Sequence, residues 1–97
     1  MVYILEFDQA LAGRARFYIG SCKDGRLDDR LAEHRAGHGA ALTRACNDAG
    51  IGFQPVAVFQ GQDRRFERRL KNQKNTPRIL RQIKRSGRVY GVAATLL

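Results

Sequence analysis

The chain has 97 residues, of which 43% are hydrophobic and 28% charged, and its formal net charge is +9. A chain of this length folds as one domain around one modest core, which excludes a large enzyme with a deep cleft. No stretch approaches the ~20 apolar residues of a membrane span, and the N-terminus lacks the pattern of a signal peptide. Cys22 and Cys46 fit neither a disulfide framework nor a zinc site, so we expect free thiols and a cytoplasmic protein.

The positive charge is concentrated in the second half of the chain. Eleven of the 18 Lys and Arg residues lie between Arg64 and Arg88, where Glu67 is the only acidic residue. We therefore expect this half to face a polyanion. Nucleic acid is favoured over a membrane surface because these segments place few large apolar residues on an open face. The alternative is a charged surface that only keeps the protein soluble.

The chain begins with a predicted β-hairpin. Residues 2–7 are β-branched and aromatic, which predicts a first strand. Residues 8–14 are expected to form the hairpin loop, and residues 15–20 return as an antiparallel second strand that ends at its glycine. Tyr3 and Tyr18 are then expected to stand near one another, with the register left open by the long loop.

A first helix is predicted from about residue 27 to residue 36. Leu27, Leu31 and His34 recur at i, i+4 and i+7, which is the spacing of an amphipathic helix. Arg30 lies four residues before His34 and shares a face with it. A strand-end tyrosine and an Arg/His pair are therefore expected a short loop apart, which is typical of a functional site.

The remaining elements follow from similar local patterns. We predict a short helix over 40–47, a third strand over 53–60 and a third helix from residue 63. A last basic helix runs to residue 86, so residues 1–86 form the domain, with element order ββααβαα. The fold class is α/β, more narrowly α+β, with a small antiparallel three-stranded sheet flanked by helices. The apolar tail 87–97 is an extra edge strand, a partner surface that permits a dimer, or a loosely packed end.

Five short motifs occur in an order that resembles the GIY-YIG nuclease superfamily, in particular its small stand-alone members. These motifs are Val2-Tyr3, Tyr18-Ile19-Gly20, Arg30 with His34, Glu67 with Lys71, and Asn75. Three features of the sequence depart from the family pattern. Met1 stands at the first motif's glycine, the spacer between the tyrosines is longer, and Ser21 stands where some members carry a catalytic lysine, with Lys23 nearby.

The resemblance implies a metal-dependent endonuclease that acts on DNA. It assigns Glu67 as the single protein ligand of a divalent metal, Mg²⁺ or Mn²⁺. It assigns Arg30 to the scissile phosphate, and Tyr3 or Tyr18 as the general base. An ordinary tyrosine has a pKa near ~10, so a tyrosine base needs about 4 kcal/mol of phenolate stabilisation, which a cation at ~4 Å can supply. His34 is expected to relay a proton or to hold a tyrosine or water in place.

The expected partner is DNA, with branched or damaged DNA and RNA left open and a role in repair by analogy. The residues expected to contact it are Lys23, Arg64, Arg68, Lys71, Lys74 and Asn75. One alternative is a nucleic-acid-binding protein on the same fold that does not cut. Another is a small basic structural protein, which would have no need of Glu67. Each residue also has a purely structural alternative. The tyrosines could be packing residues, and Arg30 and Glu67 could each form a surface ion pair. His34 could make a structural hydrogen bond, and Asn75 could cap a helix.

Overall fold

The first 21 residues form a long β-hairpin in the computed structural model, which describes all 97 residues. Its strands are β1 (Val2–Leu11) and β2 (Ala15–Ser21). The predicted loop over 8–14 is too long, because β1 continues to Leu11. The Asp8 N–H donates to the Gly52 carbonyl oxygen at 2.9 Å, so the backbone here has a pairing partner that the local sequence does not reveal.

The other predicted elements follow in the expected order, which confirms the α+β class. They are α1 (Leu27–Arg35), α2 (Ala41–Asp48), β3 (Phe53–Phe59), α3 (Arg64–Gln73) and α4 (Thr76–Ser86). None of these helices has both the length and the apolar character needed to cross a membrane. Cys22 and Cys46 are both free.

The sheet has four strands, one more than predicted, because the tail adds a strand at its edge. Arg88–Val89 (β4) and Val92–Ala93 (β5) pair as a small separate hairpin, and Thr95–Leu96 (β6) then pairs antiparallel with β3. The strand order in the main sheet is β2-β1-β3-β6. β6 satisfies backbone groups on the outer edge of β3, which would otherwise stay unpaired. The Leu97 N–H adds a bond of 3.0 Å to the Val56 carbonyl oxygen.

Each face of the sheet covers its own apolar cluster. On the face of α3 and α4, Val2 and Ile4 pack with Phe66 and Val89. On the face of α1 and α2, Tyr3 packs with other alternate residues of β1 and with Leu31, Cys46 and Phe53. Because successive side chains of a strand point to opposite faces, Tyr3 is directed towards the helix that carries His34.

The corner between α3 and α4 is built from local capping signals. The Asp63 carboxylate caps α3 by accepting from the Arg65 N–H at 2.9 Å. Lys74 ends α3 with a left-handed φ of 53°, and Asn75 Oδ1 then accepts from the Arg78 N–H at 3.4 Å at the start of α4. This fixes the direction in which α4 leaves α3, and with it the placement of the basic helices against the sheet.

The tail contributes to the stability of the domain through Val89, which is 1% exposed. We expect Val89→Ala to lower the free energy of unfolding by about 2 kcal/mol, because it removes buried methyl groups and leaves a void. Urea unfolding measures this. Leu97→Ala is the control, because Leu97 is 63% exposed and its truncation should change stability little. Equal effects of the two changes would contradict a packed tail.

A candidate active site at the edge strand

The register of the β-hairpin places the two tyrosines as diagonal neighbours. Tyr3 stands opposite Gly20 and Tyr18 stands opposite Leu5, and the tyrosine ring centroids are 6.3 Å apart. The expectation that Gly20 ends the strand is wrong, since β2 continues to Ser21. Its role is steric, because a Cβ at Gly20 would lie 2.5 Å from Tyr3 Oη and 2.7 Å from Tyr18 Cε2. Only glycine leaves room for both rings.

A buried chain of hydrogen bonds starts at the Tyr3 hydroxyl. Tyr3 Oη lies 2.7 Å from His34 Nε2, and His34 Nδ1 lies 2.8 Å from Thr43 Oγ1. The Thr43 hydroxyl donates to the Ala40 carbonyl oxygen at 3.0 Å, so its oxygen accepts from Nδ1–H and Nε2 accepts from the Tyr3 O–H. The Ala40 N–H also lies 3.4 Å from Nδ1, a contact that would require the tautomer with its proton on Nε2. The contact between Nδ1 and Thr43 Oγ1 is shorter, so we assign the proton to Nδ1. Both nitrogens of His34 are therefore satisfied.

Burial sets the protonation states of this chain. His34 is 0% exposed, and burial, aided by the charge of Arg30, lowers its pKa to about 4, so the imidazole is neutral at physiological pH. Burial also raises the pKa of Tyr3, although the interacting Arg30 guanidinium acts in the opposite direction. Tyr3 is therefore a protonated donor. Its hydroxyl is occupied by His34, and its ring is 0% exposed.

Arg30 reaches from α1 to the edge of this chain. Its side chain is 30% exposed, and Nη1 donates to Glu33 Oε2 at 2.6 Å. The bond to Glu33 raises the pKa of Arg30 further, so the guanidinium is permanently charged. A guanidinium has five N–H donors, and the pairing with Glu33 occupies only part of them. Arg30 can therefore still bind an anion from solvent.

Glu67 approaches the same edge strand from the other layer of helices. Its side chain is 18% exposed, and Lys71 Nζ lies 2.7 Å from its Oε2. Burial alone would raise the pKa of Glu67, but hydrogen bonds from Lys71 and Ser21, with the charges of Lys71 and Arg64, lower it below its ordinary value. Lys71 Nζ also lies 5.5 Å from the centre of the Tyr18 ring. Lys71 thus connects an ionised carboxylate to the second tyrosine.

All six residues predicted to contact nucleic acid are exposed, and five of them are cationic. Arg64, Arg68 and Lys71 are exposed along α3, Lys74 at its end and Lys23 in the loop after β2. The sixth, Asn75, is exposed as well, but its side-chain oxygen caps α4, as the local alternative proposed. The predicted set thus forms a cationic surface beside the catalytic candidates.

Shallow grooves surround these residues, and no single cavity contains all of them. A groove of about 560 Å³ is lined by Ser21, Lys23 and Arg64, and a second of about 410 Å³ by Lys23, Arg30 and Glu33. A third, of about 380 Å³, lies beside Tyr18 and Lys71. Such an open surface suits an extended polymer better than a small molecule.

Two residues of the site are not identified by the sequence reasoning. Thr43 is fully buried and orients His34, but a single threonine in a short helix carries no signal of that role. Ser21 stands out in the sequence only as the residue in place of a lysine, whereas in the structure it helps to lower the pKa of Glu67. Both roles depend on packing between separate elements, which is why the pattern within one helix or strand does not show them.

A metal ion could be held here by Glu67 and not by a cage of protein ligands. No group of three or more His, Cys, Asp or Glu side chains is arranged to hold one. Mg²⁺ prefers oxygen ligands and keeps several of its waters, so one ionised carboxylate beside a hydroxyl fits a largely hydrated ion.

No family model, curated protein or solved structure matches this chain. The resemblance to GIY-YIG nucleases therefore stays a prediction that rests on the residues quoted above and on their arrangement.

The buried His34 should make stability depend on pH. In the unfolded chain His34 binds a proton near pH ~6.5, whereas in the folded protein it binds one only near pH 4. The stability that depends on neutral His34 is therefore full above pH ~6.5 and falls as the pH approaches 4. We expect the melting temperature to drop by several degrees between pH 6.5 and 5. In His34→Gln this drop should be smaller, while the melting temperature at pH 7 is lower. An equal drop in the variant would contradict a buried neutral His34.

Proposed function

We propose that the protein is a metal-dependent endonuclease that hydrolyses phosphodiester bonds in DNA. The observation that carries the proposal is the grouping of a phenol, a guanidinium and an ionised carboxylate around one edge strand. Arg30 lies one turn of α1 before His34, whose ring centroid is 5.2 Å from that of Tyr18, and Lys71 links Tyr18 to Glu67. These groups come from both helical layers and meet at one edge strand. Hydrolysis needs a base for water, a cation for the phosphate and charge neutralisation, and this set offers all three.

Tyr18 is the general base in this proposal. Its ring is half-buried and lines a groove, and none of the protein's side-chain hydrogen bonds engages its hydroxyl. A base must reach the water whose proton it takes, and the fully buried Tyr3 does not. The ammonium group of Lys71 lies over the ring and would stabilise the phenolate. Tyr3 and His34 then act as positioning residues for Tyr18 and Arg30.

Arg30 is the residue proposed to bind the scissile phosphate. Its partner Glu33 is 54% exposed, so the ion pair between them is weak and can give way to a phosphate. A guanidinium donates two parallel hydrogen bonds to phosphate oxygens, and it stabilises the extra negative charge that develops as water attacks phosphorus.

Glu67 is the proposed metal ligand. When bound, a divalent cation would lower the pKa of a coordinated water and neutralise charge on the phosphate. The chain's own part is to keep the carboxylate ionised through Lys71 and Ser21. As the bond from phosphorus to the leaving oxygen breaks, that oxygen needs a proton, and the exposed ammonium of Lys71 can provide it. In this respect Lys71 takes the role of the lysine that is absent at position 21.

A second function, binding of nucleic acid without cutting, is favoured by one specific observation. Lys71 already holds Glu67 Oε2 at 2.7 Å, and Glu33 holds Arg30 at 2.6 Å. If these pairs persist with substrate bound, the carboxylate is neutralised internally and the guanidinium is diverted. The exposed cations of α3 and α4 would still bind phosphates without regard to sequence.

Glu67→Gln separates the two functions. We expect wild type to cut at least one of supercoiled, single-stranded or branched DNA with Mg²⁺ or Mn²⁺, and chelator to stop it. The variant should be slower by roughly 100-fold or more, because an amide is a poor ligand and carries no charge. Its DNA affinity should stay the same or rise, since it loses a negative charge. Gel analysis of cleavage and fluorescence anisotropy of binding measure the two effects.

Asp28→Asn is the matched control, because Asp28 is exposed, has no hydrogen-bond or ion-pair partner, and loses the same single negative charge. It should cut at the wild-type rate. Cutting that survives chelator, or Glu67→Gln at full rate, would rule out the proposed role of Glu67. DNA that is bound but never cut under any metal condition would establish the binding function instead.

The two tyrosines should respond differently to loss of the hydroxyl. Tyr18→Phe is expected to slow cleavage by about 100-fold or more without changing the melting temperature, since it removes a base but no internal hydrogen bond. Tyr3→Phe should instead destabilise the fold by about 1–3 kcal/mol, because it leaves His34 Nε2 buried without a donor. Cleavage rates and thermal melts of both variants provide the test. The reverse pattern would make Tyr3 the base.

A further inference from the structure

A small polar cavity lies behind the corner between α3 and α4, outside the proposed active site. Its volume is about 250 Å³. Its floor is apolar, formed by the buried Ile79 and Val89, and Tyr90 forms a wall. Exposed polar side chains surround it, namely Gln73, Asn75, Arg78 and Gln82. An apolar floor with a few convergent polar groups is the usual form of a ligand site.

The polar groups around this cavity keep unused hydrogen-bonding capacity. The side-chain amides of Gln73 and Gln82 and the guanidinium of Arg78 have no partner among the protein's hydrogen bonds or ion pairs, whereas Asn75 uses only Oδ1. Tyr90 Oη is the single buried side-chain polar atom in the structure without a partner. This oxygen is closed to solvent, so the polar contacts to a ligand in the cavity come from the two glutamines, Asn75 and Arg78.

Tyr90 also occupies a backbone position that its side chain does not favour. Tyr90 and Gly91 join β4 to β5 with positive φ at both residues, 54° and 75°. A two-residue turn of this kind prefers Asn, Asp or Gly at the first position, and a bulky residue there is strained. The ring is held in place by Arg69, whose guanidinium carbon lies 3.7 Å from the ring centre. A tyrosine here contributes its ring, which packs against Phe66 with centroids 6.3 Å apart and closes one side of the cavity.

The ligand that these features recognise is a small planar heterocycle with hydrogen-bonding edges. At about 250 Å³ the cavity is below the ~300–1,000 Å³ of pockets for drug-sized ligands, which suits one ring system. Carboxamides pair with the edges of nucleobases, adenine above all, and aromatic or apolar side chains stack on their faces. Arg78 at the rim can hold the adjoining phosphate.

We propose that this cavity binds one unpaired nucleobase of DNA, so that the substrate class is DNA with unpaired bases rather than fully paired duplex. This rests on the proposed function insofar as DNA is the polyanion. The site is well placed for it, because Thr76 lines the groove beside Tyr18 while its neighbour Asn75 lines the cavity. A strand whose backbone crosses Tyr18 and Lys71 can thus place a nearby base in the cavity. Fully paired DNA keeps its bases stacked and gains only the phosphate contacts.

The test compares the affinities of two labelled DNAs with chelator present, so that no cutting occurs. One is a duplex with an unpaired adenine bulge, and the other is the same duplex fully paired. We expect wild type to prefer the bulged DNA, and Gln73→Ala/Gln82→Ala to bind it roughly tenfold more weakly while binding the paired duplex unchanged. Fluorescence anisotropy at fixed salt measures all four constants.

Two control variants test whether the effect is specific to the cavity. Gln9→Ala/Gln54→Ala removes two exposed glutamines from the sheet and should change neither affinity. Arg81→Ala/Arg85→Ala removes two exposed cations of α4 and should weaken both DNAs alike, because phosphate contacts do not distinguish them. Equal affinities of wild type for the two DNAs, or a cavity variant that loses both equally, would overturn the proposal.

The outcome is separable from that of the proposed function. If bulged DNA is preferred through the two glutamines but no DNA is cut with any metal, the cavity stands and the nuclease proposal fails. If DNA is cut but the preference is absent, the nuclease stands and the cavity proposal fails. NMR titration with deoxyadenosine monophosphate gives a direct readout, since the side-chain amide signals of Gln73, Asn75 and Gln82 should shift together. No shift of these signals at saturating nucleotide would overturn the cavity assignment.

Discussion

The buried hydrogen bond between Tyr3 and His34 is the constraint on which the rest of the site depends. It joins the β1–β2 hairpin to α1, and there is no space for an additional side-chain atom beside either Tyr3 or His34. A Cβ at Gly20 would collide with the Tyr3 hydroxyl, and a Cβ at Gly39 would collide with His34 Nδ1. Breaking the bond would leave a buried polar group without a partner, which costs about 1–3 kcal/mol. The register of the β1–β2 hairpin, the position of α1 and the path of the loop after α1 must therefore all preserve it. The same bond fixes the position of α1, and Arg30 lies on that helix one turn before His34.

The edge strand β2 is where the two helical layers of the fold approach each other. A central strand is covered on both faces, so groups above and below it cannot meet. Around an edge strand they can, and here Arg30 comes from one layer while Glu67 and Lys71 come from the other. The charge balance makes Glu67 unusual, since it is the only carboxylate side chain after Asp63. Lys71 and Ser21 keep it ionised despite partial burial, so a carboxylate persists in a strongly cationic surface.

The proposed active site and the proposed base cavity lie on either side of the corner from Lys74 to Thr76. The active site would bind a phosphodiester and the cavity would bind the edge of a base. Together they would select a DNA strand that has an unpaired base. The cations of α3 and α4 would supply affinity without selectivity. Selectivity would then come from neutral groups, because only they distinguish a base edge from a phosphate.

Much of the fold is determined by the sequence itself, because periodicity, capping residues and turn residues act over a few neighbours. Leu27, Leu31 and His34 predict α1, Asp63 and Asn75 begin α3 and α4, and the order of elements follows. The candidate site residues were also predicted, through a resemblance whose functional meaning stays a proposal. Tertiary structure alone decided the diagonal placement of the tyrosines, the pairing of β6 with β3, the contacts of Thr43 and Ser21, and the cavity at Tyr90. Each of these depends on how separate elements pack against one another, and the local pattern within a single element does not encode that packing.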